Sequence, residues 1–162
     1  AGPVFRGCDF AKASFWRAMG RVKKFVAQPL FSLIDHPKIS KLTDLSYPLS
    51  GEVAGTLEFF NSVCFWQVYG VETGINIETC FGPYRVADVN LGLYDHRHQS
   101  DLNIQKMSFG ILRTFFLQLI ENGVQAMDGL RPVLTPEQVP VLEHKLRDAE
   151  KAKQKVLQGD FP

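Results

Sequence analysis

One stretch constrains the fold of this chain more than any other. Val53–Ile77 reads VAGTLEFFNSVCFWQVYGVETGINI and is the only segment long and apolar enough to suggest a membrane crossing. As a helix its 25 residues would span roughly 37 Å, enough for a hydrocarbon core of about 30 Å. Glu58, Asn61, Gln67 and Glu72 weaken that reading. Each central acid costs roughly 2.5–3.5 kcal/mol on insertion scales unless it meets a partner or sits at an end. On one continuous helix Glu58 and Glu72 fall on roughly the same face, with Gly70 and Gly74 nearly opposite. Gly51/Gly55 and Gly70/Gly74 are pairs of small residues four apart, the spacing that lets two helix backbones approach closely. The stretch therefore reads as a two-faced span inside an assembly. The other reading of it is a buried core helix, or a strand and turn ending at Gly70.

Charge sharpens the contrast. The chain has 162 residues and a net charge of +1, but the charge is unevenly placed. Residues 1–41 carry eight Lys or Arg against Asp9 and Asp35, whereas residues 42–80 carry five acids and no Lys or Arg. A basic arm running into an apolar stretch without cations is the pattern of a membrane segment's inner side. The length suits one domain with extensions: a basic amphipathic region over 1–50, the span over 51–77 and an extension over 78–162. Phe is frequent, at 13 residues, and so much aromatic area needs a core or lipid to cover it. Cys8, Cys64 and Cys80 form no CxxC pair and give neither a disulfide framework nor a zinc ribbon. A first residue of Ala1 rather than Met reads as a processed N-terminus.

Along the chain, Asp9 is placed to cap a helix from Phe10 to about Ala27. Phe15, Met19, Val22 and Val26 recur at helical spacing, with Trp16 and Phe25 widening the stripe. Trp16, Arg17, Arg21, Lys23 and Lys24 would set this helix in a lipid interface. Residues 30–50 read as turns with a short helix near Leu30–Ile34. Arg85–Leu93 reads as a short strand. Asp95-His96-Arg97-His98 follows, and two His flanking one residue on a strand could hold a metal with Asp95 or Asp101. A polar loop is the simpler reading. Ser100 or Asp101 caps a helix from Leu102 to about Met127. Thr135-Pro136-Glu137-Gln138 combines an N-cap, a proline at the first helical position and a capping-box partner, and opens a charged helix to about Leu157.

The chain has no Walker loop, dinucleotide fingerprint, HExxH or nucleophile elbow. The run Phe65-Trp66-Gln67-Val68-Tyr69-Gly70-Val71-Glu72-Thr73-Gly74 resembles the membrane helix of subunit g of mitochondrial F-type ATP synthase, with Ala13-Ser14-Phe15-Trp16-Arg17 similar to that family's amphipathic approach. The resemblance covers about residues 11–77. It implies a mainly α protein with one tilted transmembrane helix, flanking amphipathic helices and a C-terminal charged helix. It also implies a non-catalytic accessory subunit of the mitochondrial inner membrane that supports dimerisation of the complex. Such a subunit needs no cofactor. Its partners would be lipids and neighbouring membrane subunits, above all a subunit e-like helix against Gly70 and Gly74, with no nucleic acid. Two other readings stand beside it: a soluble helical adaptor docking through residues 136–157, and a metal-binding enzyme domain using His96 and His98.

Overall fold

The computed structural model describes residues 1–16, 20–94 and 99–124. Its centre is a three-stranded mixed sheet in the order β2–β1–β3. A short helix, α1 (Gly2–Phe5), precedes the central strand β1 (Phe10–Trp16). Helical residues 21–33 follow, first as a π-helical turn (Lys23–Ala27) and then as α2 (Gln28–Leu33). After α3 (Lys41–Asp44) comes the edge strand β2 (Val53–Gly55), antiparallel to β1. Next are α4 (Leu57–Ser62), a 3₁₀ turn (Val68–Gly70) and α5 (Val71–Phe81). Strand β3 (Val86–Leu93) then pairs parallel with β1, and α6 (Asp101–Glu121) closes the described part.

Phe10–Trp16 is a strand where its spacing predicts a helix. Phe10 to Ser14 are all buried, because β1 is paired on both edges and covered on both faces. A strand so placed shows no alternation of apolar and polar residues, so its period is hidden. Asp9 caps no helix. Its carboxylate accepts from the Arg85 backbone N–H at 2.7 Å and from the Arg85 guanidinium at 3.2 and 3.3 Å, tying the starts of β1 and β3 together.

The predicted membrane helix is likewise absent. Val53–Ile77 is cut into β2, α4, the 3₁₀ turn and the first part of α5. Among the described residues no helix is long and apolar enough to cross a membrane. The breaks have local causes. Thr56 Oγ1 accepts from the Phe59 N–H and starts α4 afresh. Ser62 Oγ donates to the Phe59 carbonyl at that helix's end, and Val63 is extended. The fold class is thus a mixed sheet with packed helices, not a mainly α protein built round a tilted span.

Several of the aromatic residues that suggested lipid pack against protein, whereas Phe25 and Phe65 are exposed. Phe10, Phe59, Val63 and Ile75 form one apolar cluster, with Phe60, Val71 and Tyr84 against it. Phe10 and Phe59 stack with centroids 4.7 Å apart. A second cluster joins Phe31, Ile34, Ile39 and Leu42 to Ile77, Ile111, Phe115 and Leu119, so α2 and α3 lie against α5 and α6.

Gly70 and Gly74 do serve close approach, but inside the chain. A Cβ on Gly70 would lie well inside contact distance of Thr114 Oγ1 and 3.2 Å from Thr114 Cβ. One on Gly74 would collide with the Trp66 ring, and one on Gly110 would meet Tyr69 Cβ at 3.0 Å. The helix that Gly70 meets is α6, not that of another subunit. Gly51 is exposed and Gly55 sits in β2 under Phe59 and Phe60. Glu58 is exposed in the first turn of α4, and Glu72 is half-buried in the first turn of α5, so one helix face does not hold both.

Three substitutions test this architecture. Gly70→Ala should cost about 1–3 kcal/mol by overpacking, and Thr114→Ala in the same chain should recover part of that loss in urea unfolding. Val68 has φ 57° and is exposed, a left-handed conformation that strains a β-branched residue. Val68→Gly should therefore raise the unfolding midpoint, by roughly 1 kcal/mol in stability.

Candidate functional site

β1 and β3 run parallel, so their carboxyl ends lie on one side of the sheet. Ligands of open α/β sheets bind outside such ends. Here the helical residues 21–33 begin just after β1. The Lys24 N–H donates to the Gly20 carbonyl at 3.0 Å, so the N–H groups of Arg21, Val22 and Lys23 precede the first intrahelical bond. Such a start attracts anions through its free donors and its dipole. Arg21 is held there by α6. Its guanidinium donates to Asp101 Oδ1 at 2.7 Å and to the Gln99 carbonyl at 2.8 Å. Asp101 lies in the first turn of α6, whose N-cap is Ser100, with Oγ accepting from the Asn103 N–H. The Arg21 side chain is about half exposed, so the fork is oriented without being hidden.

An aromatic group lies alongside. The Phe15 and Tyr94 rings stand 4.7 Å apart, and Tyr47 meets Phe15 edge-on at 6.0 Å. Lys23 is buried; its Nζ lies 4.6 Å from the centre of the Tyr47 ring and donates to the Ser46 carbonyl.

Lys12 is joined to this region through the 46–50 segment, which Lys23 holds at its other end. Lys12 is 2% exposed in the amino half of the central strand, and its Nζ donates to the Ser50 carbonyl at 2.7 Å. Burial pulls its ammonium from 10.5 down to about 8, while Glu72, Asp88 and Glu52 pull in the opposite direction. Asp88 is the register partner of Lys12 on β3, so both side chains emerge on one face of the sheet. Asp88 Oδ2 also accepts from the Ser46 N–H at 3.0 Å. Ser50 Oγ donates to Glu52 Oε2 at 3.0 Å. A buried cation thus lies under three carboxylates that are wholly or partly open to solvent.

The residues singled out from sequence divide sharply. Lys23 and Glu72 come together with Lys12 and Asp88 about the 46–52 segment, and sequence reasoning marked neither Lys12 nor Asp88 as functional; Arg21 stands at the start of the Lys23 helix with Asp101 and Gln99. The signal available for Lys12 was a lone lysine among Phe10, Ala11, Ala13 and Ser14. Lys24 is exposed, 5.5 Å from the Phe25 ring centre. Trp16 ends β1. Arg17, the Asp95-His96-Arg97-His98 motif and the helix expected over 136–157 lie outside the described residues. Among the described residues no group of three or more His, Cys, Asp and Glu could hold a metal ion.

No family model matches the chain. Curated relatives do. Glucosyl-3-phosphoglycerate synthase of Petrotoga mobilis is 38% identical over 106 residues, covering 64% of this chain and 31% of the relative. The Mycolicibacterium smegmatis protein of the same name is 37% identical over 97 residues, covering 59% of this chain and 31% of the relative. Among solved structures, mannosyl-3-phosphoglycerate synthase from Rubrobacter xylanophilus superposes with a TM-score of 0.64 at 34% identity, over 82% of this chain and 42% of that one. Glucosyl-3-phosphoglycerate synthase from Mycobacterium tuberculosis, solved with Mn²⁺, UDP-glucose and phosphoglyceric acid, also gives 0.64, at 32% identity over 76% of this chain and 43% of that one. The chain spans about a third of the length of the curated relatives it matches.

These findings overturn the resemblance to ATP synthase subunit g and everything drawn from it. The similar proteins are sugar-phosphoglycerate synthases, not accessory subunits. With the span gone and the likeness lying elsewhere, a non-catalytic role, an inner mitochondrial membrane location, a subunit e-like partner and membrane lipids all lose their basis. The metal-binding enzyme domain is the nearer of the readings that the sequence suggested.

The buried lysine has a measurable signature. Between pH 8 and 10.5 the unfolded chain holds the Lys12 proton and the folded chain does not. Stability therefore rises with pH through that window. Wild type should gain stability over Lys12→Met by ~3 kcal/mol between those limits, read from urea unfolding at each pH.

Proposed function

We propose that this chain forms part of a glycosyltransferase that transfers a hexose from a nucleotide sugar to 3-phosphoglycerate. We further propose that the carboxyl ends of β1 and β3, with the helix start at Gly20–Lys23, receive the phosphorylated acid. The observation that carries this reading is the likeness to a synthase solved with both UDP-glucose and phosphoglyceric acid.

The chemistry of that acceptor matches what the region offers. A phosphate and a carboxylate need several N–H donors and fixed positive charge. Arg21, Val22 and Lys23 supply backbone N–H groups ahead of the first intrahelical bond. Arg21 supplies a guanidinium, which can meet a phosphate with two parallel N–H donors, and Asp101 and Gln99 keep it from swinging away. Gly20 places no side chain between the helix start and an incoming phosphate. In the transfer, the bond between the sugar's anomeric carbon and the diphosphate oxygen breaks. A bond from that carbon to the acceptor's hydroxyl oxygen forms, the hydroxyl proton is lost and the nucleoside diphosphate leaves. Residues of this chain would bind and orient the acceptor for that exchange. Lys23 and Tyr47 hold the helix start against the 46–52 segment, so the acceptor's two anionic ends meet a rigid surface. His96 and His98, with Asp95 or Asp101, are the ligands that the sequence offers a divalent ion.

Isothermal titration of the chain with 3-phosphoglycerate tests the reading. Saturable binding in the micromolar to millimolar range is expected. Arg21→Ala should weaken it by about 10- to 100-fold, the loss of one charge-assisted contact. No saturable binding at millimolar ligand would overturn it.

A further inference from the structure

The Ser46–Ser50 segment is neither helix nor strand, yet its carbonyls are taken by side chains from three different elements. Ser46 O accepts from Lys23 Nζ on the π-helical turn. Pro48 O accepts from Asn76 Nδ2 on α5 at 2.6 Å, and Ser50 O from Lys12 Nζ on β1 at 2.7 Å. The Tyr47 carbonyl is closed by the Ser50 N–H at 3.1 Å, and Asp88 of β3 takes the Ser46 N–H. A turn held this way has its conformation fixed from outside by the sheet and two helices.

We propose that Lys12 is a positioning residue, which sets the Ser46–Glu52 segment as a wall of the acceptor site and balances the carboxylates around it. The role rests on the acceptor-site reading given above. Fold stability does not call for this lysine. A protonated amine at 2% exposure is costly, and apolar residues of similar volume often replace buried charges without loss. What the lysine adds is directional. It donates to one carbonyl of the segment and lies below Glu52, Glu72 and Asp88, which approach from the segment itself, α5 and β3. Without it, Glu52, Glu72 and Asp88 would be left without the cation they share. The Ser50 bend would also lose the bond that fixes it to the sheet. Lys12 thus acts on the acceptor through the segment and the local charge, without needing to touch it.

The test uses Lys12→Met and Asp88→Ala, the second at an exposed position that removes the acceptor for the Ser46 N–H. Amide hydrogen exchange and titration with 3-phosphoglycerate are measured on each. Lys12→Met should raise exchange at Ser50 and Glu52 at least tenfold, with α2 and α6 unchanged, and should weaken 3-phosphoglycerate binding at least tenfold. Asp88→Ala should raise exchange at Ser46 and weaken binding less. A global loss of protection would mean that Lys12 only supports the fold, and would overturn the proposal, as would unchanged exchange or unchanged affinity in Lys12→Met. If Lys12→Met does not fold, Asp88→Ala decides: unchanged exchange at Ser46 with unchanged affinity overturns the wall. If wild type binds no 3-phosphoglycerate while Lys12→Met still loosens 46–52 locally, the acceptor reading fails and the positioning of the segment stands.

Discussion

Everything described here is arranged about a strand from which water is excluded. β1 is paired antiparallel to β2 along one edge and parallel to β3 along the other, and both its faces are covered. Any polar side chain on it must then find its partner inside the protein, because an unpaired one costs more than folding can spare. Lys12 meets that condition by reaching the Ser50 carbonyl. The same condition organises the surroundings. The segment supplying that carbonyl must stay against the sheet, and the acids that temper the charge must come from neighbours of the strand. One residue's solvation requirement thus links β1, β3, α5 and the 46–52 turn.

The second organising contact is steric. The 3₁₀ turn ahead of α5 can lie close on α6 only where side chains are missing, and Gly70 and Gly110 face each other's elements at that point. This chemistry of small residues is the same in water and in lipid. That is why Gly70 and Gly74 read convincingly as a membrane motif. Spacing shows that two backbones approach; it does not show whether the second belongs to another chain. Here the partner is Thr114, forty-four positions further along the same chain.

Legibility in the sequence followed how local each signal was. Ser100 capping α6 and the strand near Arg85–Leu93 were readable, since each depends on residues within a few positions. Val53–Ile77 was not, because mean apolarity over a window registers neither Thr56 restarting a helix nor Val68 turning the chain at positive φ. Its aromatics call for burial, and a core satisfies that as well as lipid does. β1 was lost for the converse reason: Phe15, Val22 and Val26 sit at helical intervals although they belong to two elements. Of the site, Arg21 and Lys23 were noticed for their charge but assigned to headgroups. Lys12 was invisible, because its character comes from burial by partners remote in sequence.

That difference explains the charge asymmetry from which the membrane reading drew its strength. The cations of the first forty residues and the acids of the next forty do not mark two sides of a bilayer. They come from opposite elements and converge: Lys12 and Lys23 from the early part, Glu52 and Glu72 from the middle, Asp88 from β3. A parallel pairing between distant strands permits this, because it sets Lys12 of β1 beside Asp88 of β3 while the chain between them supplies Glu52 and Glu72. The uneven charge is the trace in one dimension of a polar cluster assembled in three. An asymmetric charge pattern beside an apolar stretch therefore carries two physical meanings, and burial of the cations separates them. A lysine serving headgroups keeps its ammonium at a wet surface, whereas Lys12 and Lys23 are both buried against backbone carbonyls.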